Sequence, residues 1–279
     1  MKEAIKILTL LDLIFILFLV ASGPAAGIFG EALYYMGFFL PTVIAFYYAK
    51  RFKREREEER GLAEAENNYL SLDGRKLVFT LPIMTLSIGL IILSSITTTL
   101  ILNSFGFSGN TIEDAPLIEM LVVHAIVPAI LEEMLFRYVP MKLLLPYSPR
   151  VCVFISSVFF ALIHCNLFQI PYALIAGVAL MLIDVIADSI WPSVILHIVN
   201  NTLSVIMMKY CNDKTSMLIF IYSIALVELL SIVYIALKKT KYKEALSAAI
   251  GDNTRLEPTY APLSLVVLTL YIAFMNLFN

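Results

Sequence analysis

Charged residues are scarce in this sequence. Only 15% of its 279 residues are Asp, Glu, Lys or Arg, and 60% are hydrophobic, whereas an average globular domain is about 25% charged. The mean hydropathy is +0.86. These values exclude an ordinary soluble domain. They predict an all-α fold, a polytopic transmembrane helical bundle that forms a single integral membrane domain over residues 1–279.

Cysteines and familiar sequence motifs are also few. The three cysteines, Cys152, Cys165 and Cys211, form no CxxC pair, so we interpret them as small core residues rather than as a disulfide framework. The sequence holds no HExxH motif. It also shows no evident internal repeat, which disfavours a secondary transporter built from two similar halves.

Long apolar runs are what the sequence has instead. A membrane core of about 30 Å is crossed by about 20 apolar residues as a helix. This length predicts eight spans, or nine if the last run also crosses: 5–23, 32–49, 77–102, 117–138, 151–168, 170–188, 191–208, 215–237 and 261–278.

Basic residues are distributed unevenly between the connections. They are concentrated in 50–76 and 238–243, and 103–116 holds none. The positive-inside rule therefore predicts a cytoplasmic N-terminus, and the short loops favour a prokaryotic plasma membrane. Residues 50–76 are predicted to form a cytoplasmic charged loop, in which 52–66 is either a helical extension of the second span or a solvated segment.

A polar cluster interrupts the fourth apolar run. Each ionisable group there costs roughly 2 to 4 kcal/mol at mid-bilayer unless it faces the protein interior. Glu133 and Arg137 have the i, i+4 spacing of an ion pair, whereas Glu132 projects about 100° away and is left as the reactive carboxylate. Pro128 is expected to kink the helix one turn before the pair. The alternative is that these charges simply end the span at the cytoplasmic interface.

Two histidines interrupt later apolar runs. His197 and Asn201 lie one helical turn apart, beside Asn200, so an imidazole and a carboxamide can both donate toward a single point, as an oxyanion requires. His164 ends the apolar run 154–163 and is the candidate for pairing with the glutamate. The alternatives are structural: His164 as a packed, hydrogen-bonded core residue, and the His197 group as polar contacts between helices.

Together the three clusters supply the groups for water-mediated amide hydrolysis. Glu132, oriented by His164 or sharing a proton with it, would deprotonate water. His197 and Asn201 would stabilise the negative charge that develops on the peptide oxygen. The residues therefore favour a membrane-embedded peptidase.

Three motifs of this sequence resemble those of a known family, the CAAX-protease and bacteriocin-processing (CPBP or Abi) intramembrane endopeptidases. They are Glu132-Glu133-Met134-Leu135-Phe136-Arg137, Phe160-Ala161-Leu162-Ile163-His164 and His197-Ile198-Val199-Asn200-Asn201. The resemblance covers roughly 117–208, a catalytic motif core. It implies an all-helical core with Glu132, His164, His197 and Asn201 as catalytic residues and Glu133 and Arg137 as supporting residues.

The sequence departs from the family pattern at two places. Tyr138 follows the arginine where the family often has Gly, and Ala187-Asp188 stands where a basic residue or a Thr-Gly turn is typical. These differences affect substrate choice and local backbone geometry more than catalysis. In addition, the span 151–168 places His164 on the order of 10 Å too far toward the outer side, and we expect its boundaries to be wrong.

No cofactor is expected, although two carboxylates and two imidazoles also suit zinc. The expected partners are the lipid bilayer and a peptide or protein substrate that enters from the membrane or the cytoplasmic side, with no nucleic acid. Two alternatives to the peptidase stay open: a proton-coupled transporter, and a non-catalytic membrane scaffold or immunity protein.

Overall fold

The structure, a computed structural model, describes residues 2–22, 27–60, 68–107, 115–211 and 213–250. Its described part is all-α, as predicted, with nine helices and no strand. The helices are α1 (Lys2–Ser22), α2 (Gly27–Arg60), α3 (Gly74–Ser104), α4 (117–143), α5 (Pro149–Leu162), α6 (Ile170–Ala187), α7 (Trp191–Tyr210), α8 (Lys214–Leu237) and α9 (Lys239–Ile250).

Eight of these helices coincide with the first eight predicted spans. Six are long and apolar enough to cross a membrane by length and composition, namely α1, α2, α3, α6, α7 and α8. The other two are the polar-bearing α4 and the short apolar α5. The ninth predicted span, 261–278, lies outside the described residues. The helix α2 continues through the charged stretch to Arg60, so the helical extension is present at least that far.

The helix α4 departs from regular geometry on both sides of the glutamate pair. It is π-helical at Leu121–Ile126 and again at Met134–Tyr138. Val127 donates to the Val122 carbonyl, and Val139 donates to the Met134 carbonyl. Both π-helical stretches end two residues before a proline, Pro128 or Pro140, and a proline cannot donate to the carbonyl four residues earlier. The kink expected at Pro128 is thus accompanied by a π-helical turn.

A row of edge-to-face aromatic rings crosses the core. Phe15 of α1 contacts Phe38 of α2 at a centroid distance of 4.8 Å and Phe136 of α4 at 5.7 Å. Phe136 contacts Phe160 of α5 at 6.2 Å, and Phe160 contacts His197 of α7 at 5.5 Å. Five helices are therefore packed together around the segment that holds the first motif.

The helix α5 is shorter than the predicted span. It ends at Leu162, and His164 lies in the turn that follows. A helix of 14 residues rises about 21 Å, so it does not carry His164 to the far side of the membrane. The boundaries predicted for 151–168 were wrong, as expected from the position of His164. The helices α5 and α6 approach closely, since a Cβ on Gly177 would lie 2.9 Å from the Cα of Ser157.

Residues 69–71 cross the turn between α6 and α7. Three consecutive backbone carbonyls accept hydrogen bonds from that turn: Tyr69 from the Ile190 amide at 2.9 Å, Leu70 from the Trp191 indole at 2.7 Å, and Ser71 from the Ser189 hydroxyl at 2.6 Å. The start of α7, which carries the third motif, is thereby attached to the segment before α3.

Candidate active site

Glu133 is at the centre of a buried polar cluster. Its carboxylate and the Arg137 side chain are both 0% exposed, and Arg137 Nε lies 3.2 Å from Glu133 Oε2, as the i, i+4 spacing predicts. The other oxygen, Oε1, accepts a hydrogen bond from His197 Nδ1 at 2.8 Å. This last contact joins the first motif to the third, and the spacing of the residues did not predict it.

Arg137 is held by a carbonyl that Pro140 leaves without a helical donor. Pro140 has no N–H to give to the Phe136 carbonyl, and that carbonyl accepts instead from the Ser156 hydroxyl and from Arg137 Nη1 at 3.1 Å. Ser156 Oγ lies 3.3 Å from the same Nη1. The guanidinium also stacks over the Phe160 ring, with 4.4 Å between Cζ and the ring centroid.

Glu132 is buried and points away from the ion pair. Its Oε2 lies 3.9 Å from His197 Nε2, too far for a hydrogen bond. That oxygen is buried and has no hydrogen-bond partner in the described part of the chain. Tyr34 of α2 and Tyr172 of α6 are close enough to interact electrostatically with it. Nothing in the sequence distinguishes these two among its 14 tyrosines.

His164 lies in the same neighbourhood without bonding directly to the glutamate. Its Nδ1 lies 2.8 Å from the Phe160 carbonyl, which can only accept, so Nδ1 carries the proton and Nε2 is left as an acceptor. The imidazole packs on the Phe160 ring at 5.2 Å and is within electrostatic range of Glu132. The structure thus brings His164 close to Glu132 but shows no hydrogen bond between them.

Asn201 is the predicted site residue with the weakest connection to the cluster. It lies one turn after His197 on α7, and its Oδ1 accepts from Asn200 Nδ2 at 3.3 Å. Both carboxamides are partly exposed. Phe160, in contrast, touches Arg137, His164 and His197 at once, and therefore packs against a residue of each of the three motifs.

Residues 114–203 match the family model of the type II CAAX prenyl endopeptidases, described as Rce1-like. Over this region the sequence is similar to that family. The resemblance inferred from the motifs is confirmed, and the matched region contains every predicted site residue. No curated protein and no solved structure shows a significant match to the chain.

One departure from the family pattern has a clear structural outcome. Asp188 ends α6 in the left-handed region, with φ 55° and ψ 38°, a conformation that favours Gly and that Asp tolerates better than most residues. Its carboxylate lies 3.7 Å from Lys76 Nζ. Asp188 therefore supplies the left-handed residue of this turn.

The bond between Glu133 and His197 limits what His197 can donate. With one proton between His197 Nδ1 and Glu133 Oε1, the neutral ring presents a lone pair at Nε2. Nε2 becomes a donor only when the pair holds a second proton. The expectation that a neutral His197 donates to an oxyanion therefore needs this added condition.

The same arrangement bears on the zinc alternative. His197 Nδ1 is engaged by Glu133, and His164 Nδ1 by a backbone carbonyl. Among the residues that the structure describes, no three His, Cys, Asp or Glu side chains converge as a metal-binding group. Each ring keeps a lone pair at Nε2, but without a third ligand among the described residues these side chains do not form a zinc site in this arrangement.

Proposed function

We propose that this protein is an intramembrane endopeptidase of the glutamate type. The observation that carries the proposal is the buried Glu132 carboxylate, whose Oε2 has no hydrogen-bond partner in the described residues and faces His197 Nε2 across 3.9 Å. A buried carboxylate oxygen without a hydrogen-bond partner costs stability. Its role as a base for water accounts for that cost.

In the proposed reaction Glu132 removes a proton from water, and the resulting hydroxide oxygen bonds to the carbonyl carbon of the substrate. The C–N bond then breaks as Glu132 returns the proton to the leaving nitrogen. His164, whose Nε2 is an acceptor, assists Glu132 in orienting the water. When His197 and Glu133 together hold two protons, one of them is on His197 Nε2. This N–H and the Asn201 carboxamide donate to the oxyanion.

The substrates we propose are membrane-associated peptides or protein tails that reach Glu132 from the membrane or the cytoplasmic side. The protein is integral to a membrane, and we place its N-terminus in the cytoplasm of a prokaryote. The family name refers to prenylated substrates. Reporter peptides with and without a prenyl chain, compared in the purified protein, therefore test whether the lipid is recognised.

The first experiment compares peptides and new protein termini in cells that express the wild type, Glu132→Gln or Glu119→Gln at equal membrane levels. Glu119 lies on the same helix but is exposed, so it is the matched control. We expect products in the wild type and in E119Q and none in E132Q. Identical profiles in all three would overturn the peptidase and leave the scaffold or the transporter. A measurement of proton flux in vesicles separates these two, because only the transporter moves protons.

A strong chelator tests the absence of a metal cofactor. Cleavage of the reporter should persist after chelation, because the proposed base is a carboxylate rather than a metal-bound hydroxide. Loss of cleavage that zinc restores would contradict the glutamate mechanism while leaving the peptidase intact.

A further inference from the structure

A third buried carboxylate lies behind the candidate site. Asp184, in the last turn of α6, is 0% exposed. Its Oδ1 accepts a hydrogen bond from the backbone amide of Ser193 at 3.0 Å. Ser193 is in the first turn of α7, whose N-cap residue, Ile190, supplies no side-chain hydrogen bond. Asp184 therefore caps α7 from the preceding helix, across the left-handed turn at Asp188.

The capped turn of α7 touches the cluster of motif residues. Ser193 is 0% exposed, its hydroxyl donates to the Ile190 carbonyl at 2.8 Å, and it also lies beside the Glu133 carboxylate. His197 is four residues later, on the same face of α7. Any rotation or slide of the first turn of α7 would thus move Ser193 and His197 together relative to Glu133.

Packing alone does not account for a carboxyl group at this position. The second oxygen, Oδ2, is buried and has no hydrogen-bond partner in the described part of the chain. An apolar side chain of similar size would avoid the cost of that unpaired oxygen. What an apolar side chain would not supply is a directional bond to the start of α7.

We infer that Asp184 is a positioning residue for His197. Through the Ser193 amide it fixes the first turn of α7, so that His197 keeps Nδ1 on Glu133 and directs Nε2 toward Glu132. As a contribution to catalysis this inference rests on the proposed peptidase, but the orientation of His197 is measurable without it.

The test uses the full chain and three variants. Asp184→Leu removes the acceptor at similar volume, and Asp184→Asn keeps an acceptor oxygen. Asp213→Leu is the control, because it makes the same change at an exposed carboxylate that caps α8 rather than α7. The chain has only three histidines, so ¹⁵N-histidine spectra resolve His197 after assignment with a His197→Gln sample.

We expect D184L to lower kcat at least about tenfold with KM unchanged, because a displaced imidazole affects the transition state more than substrate binding. Its His197 signals should move or broaden, while those of D184N and D213L match the wild type and their kcat falls within about threefold of it. If D184L does not fold, Asp184→Ala takes its place.

Two results would overturn the inference. The first is a D184L protein with wild-type His197 signals and wild-type kcat. The second is a D184N protein as impaired as D184L, because the loss would then come from the missing negative charge rather than from the missing hydrogen-bond acceptor. An inactive wild type would instead overturn the peptidase, and the His197 signals would still test the positioning.

Discussion

Two regions of the molecule place a glutamate against a neighbouring helix with opposite surroundings. Glu133 on α4 is fully buried, with Arg137 on one oxygen and His197 on the other. Glu228 on α8 occupies a notch over Gly89 of α3, where an added Cβ would lie 1.5 Å from its Oε1. That oxygen is buried, and no hydrogen-bond partner for it occurs in the described residues.

The comparison shows that partners, and not burial alone, indicate where a membrane protein depends on a charge. Removing one partner from a buried pair leaves an uncompensated charge, so the Glu133 cluster is sensitive to every member. The Glu228 carboxylate has no ion pair among the described residues. The neighbouring contact between the Thr85 and Ser231 hydroxyls, at 2.6 Å, holds α3 to α8 without it.

The largest expected effect is at Arg137. Arg137→Met fills much of the same volume but leaves Glu133 buried beside a single imidazole. We expect a loss of about 3 to 5 kcal/mol in stability, measured by thermal unfolding in detergent. The matched control is Arg150→Met, since Arg150 is exposed and bonds to the Ile250 carbonyl. Equal melting temperatures for R137M and the wild type would contradict the importance of the pair.

A pair of glycine substitutions sharpens the contrast between the core and the periphery. In Gly177→Ala the new methyl meets the backbone of Ser157, which cannot move aside without separating α5 from α6, and we expect about 1 to 3 kcal/mol of destabilisation. In Gly89→Ala the obstacle is the end of the Glu228 side chain, which can turn away. Unfolding of both variants should show a clear loss only for G177A, and the reverse order would refute this account of the packing.

At Glu228 itself we expect a change of the opposite sign. Glu228→Gln removes a charge for which the described residues supply no hydrogen-bond partner at Oε1 and keeps the shape, so stability should stay the same or rise by up to about 1 kcal/mol. Glu133→Gln, the matched change in the polar cluster, should lower stability because it weakens the bonds to Arg137 and His197. A clear destabilisation by E228Q would show that Glu228 has a partner of its own.

The smallest effect lies outside the spans, at the start of α8. Hydrogen bonds hold the pKa of the Asp213 carboxyl below its usual range. The largest contribution comes from the Ser216 hydroxyl, and the backbone amides of Ser216 and Thr215 also donate to the carboxylate. Because the pKa is lowered, the cap stabilises the fold at pH values above the ordinary pKa of the carboxyl. This stabilisation is lost as the pH falls through the folded-state pKa. The melting temperatures of Asp213→Ala and the wild type should therefore differ slightly at neutral pH and converge in acid.

Much of this arrangement follows from the sequence, because span length, apolar runs and helical spacing are local properties. They predicted eight helices, the position of the polar clusters and the ion pair between Glu133 and Arg137. Contacts between helices depend on how each helix is rotated about its axis, which no local pattern encodes. The bonds from His197 to Glu133 and from Ser193 to Asp184 were missed for that reason, and so were the tyrosines near Glu132.

The π-helical stretches in α4 also affect how sequences related to this one are compared. A π-helical turn takes up one more residue than an α-helical turn, so α4 holds a surplus residue at Leu121–Ile126 and another at Met134–Tyr138. A relative with a regular helix at either place would align with a one-residue gap there. Spacing rules that count residues from the glutamate pair toward either end of α4 should allow for such a gap before they reject a match.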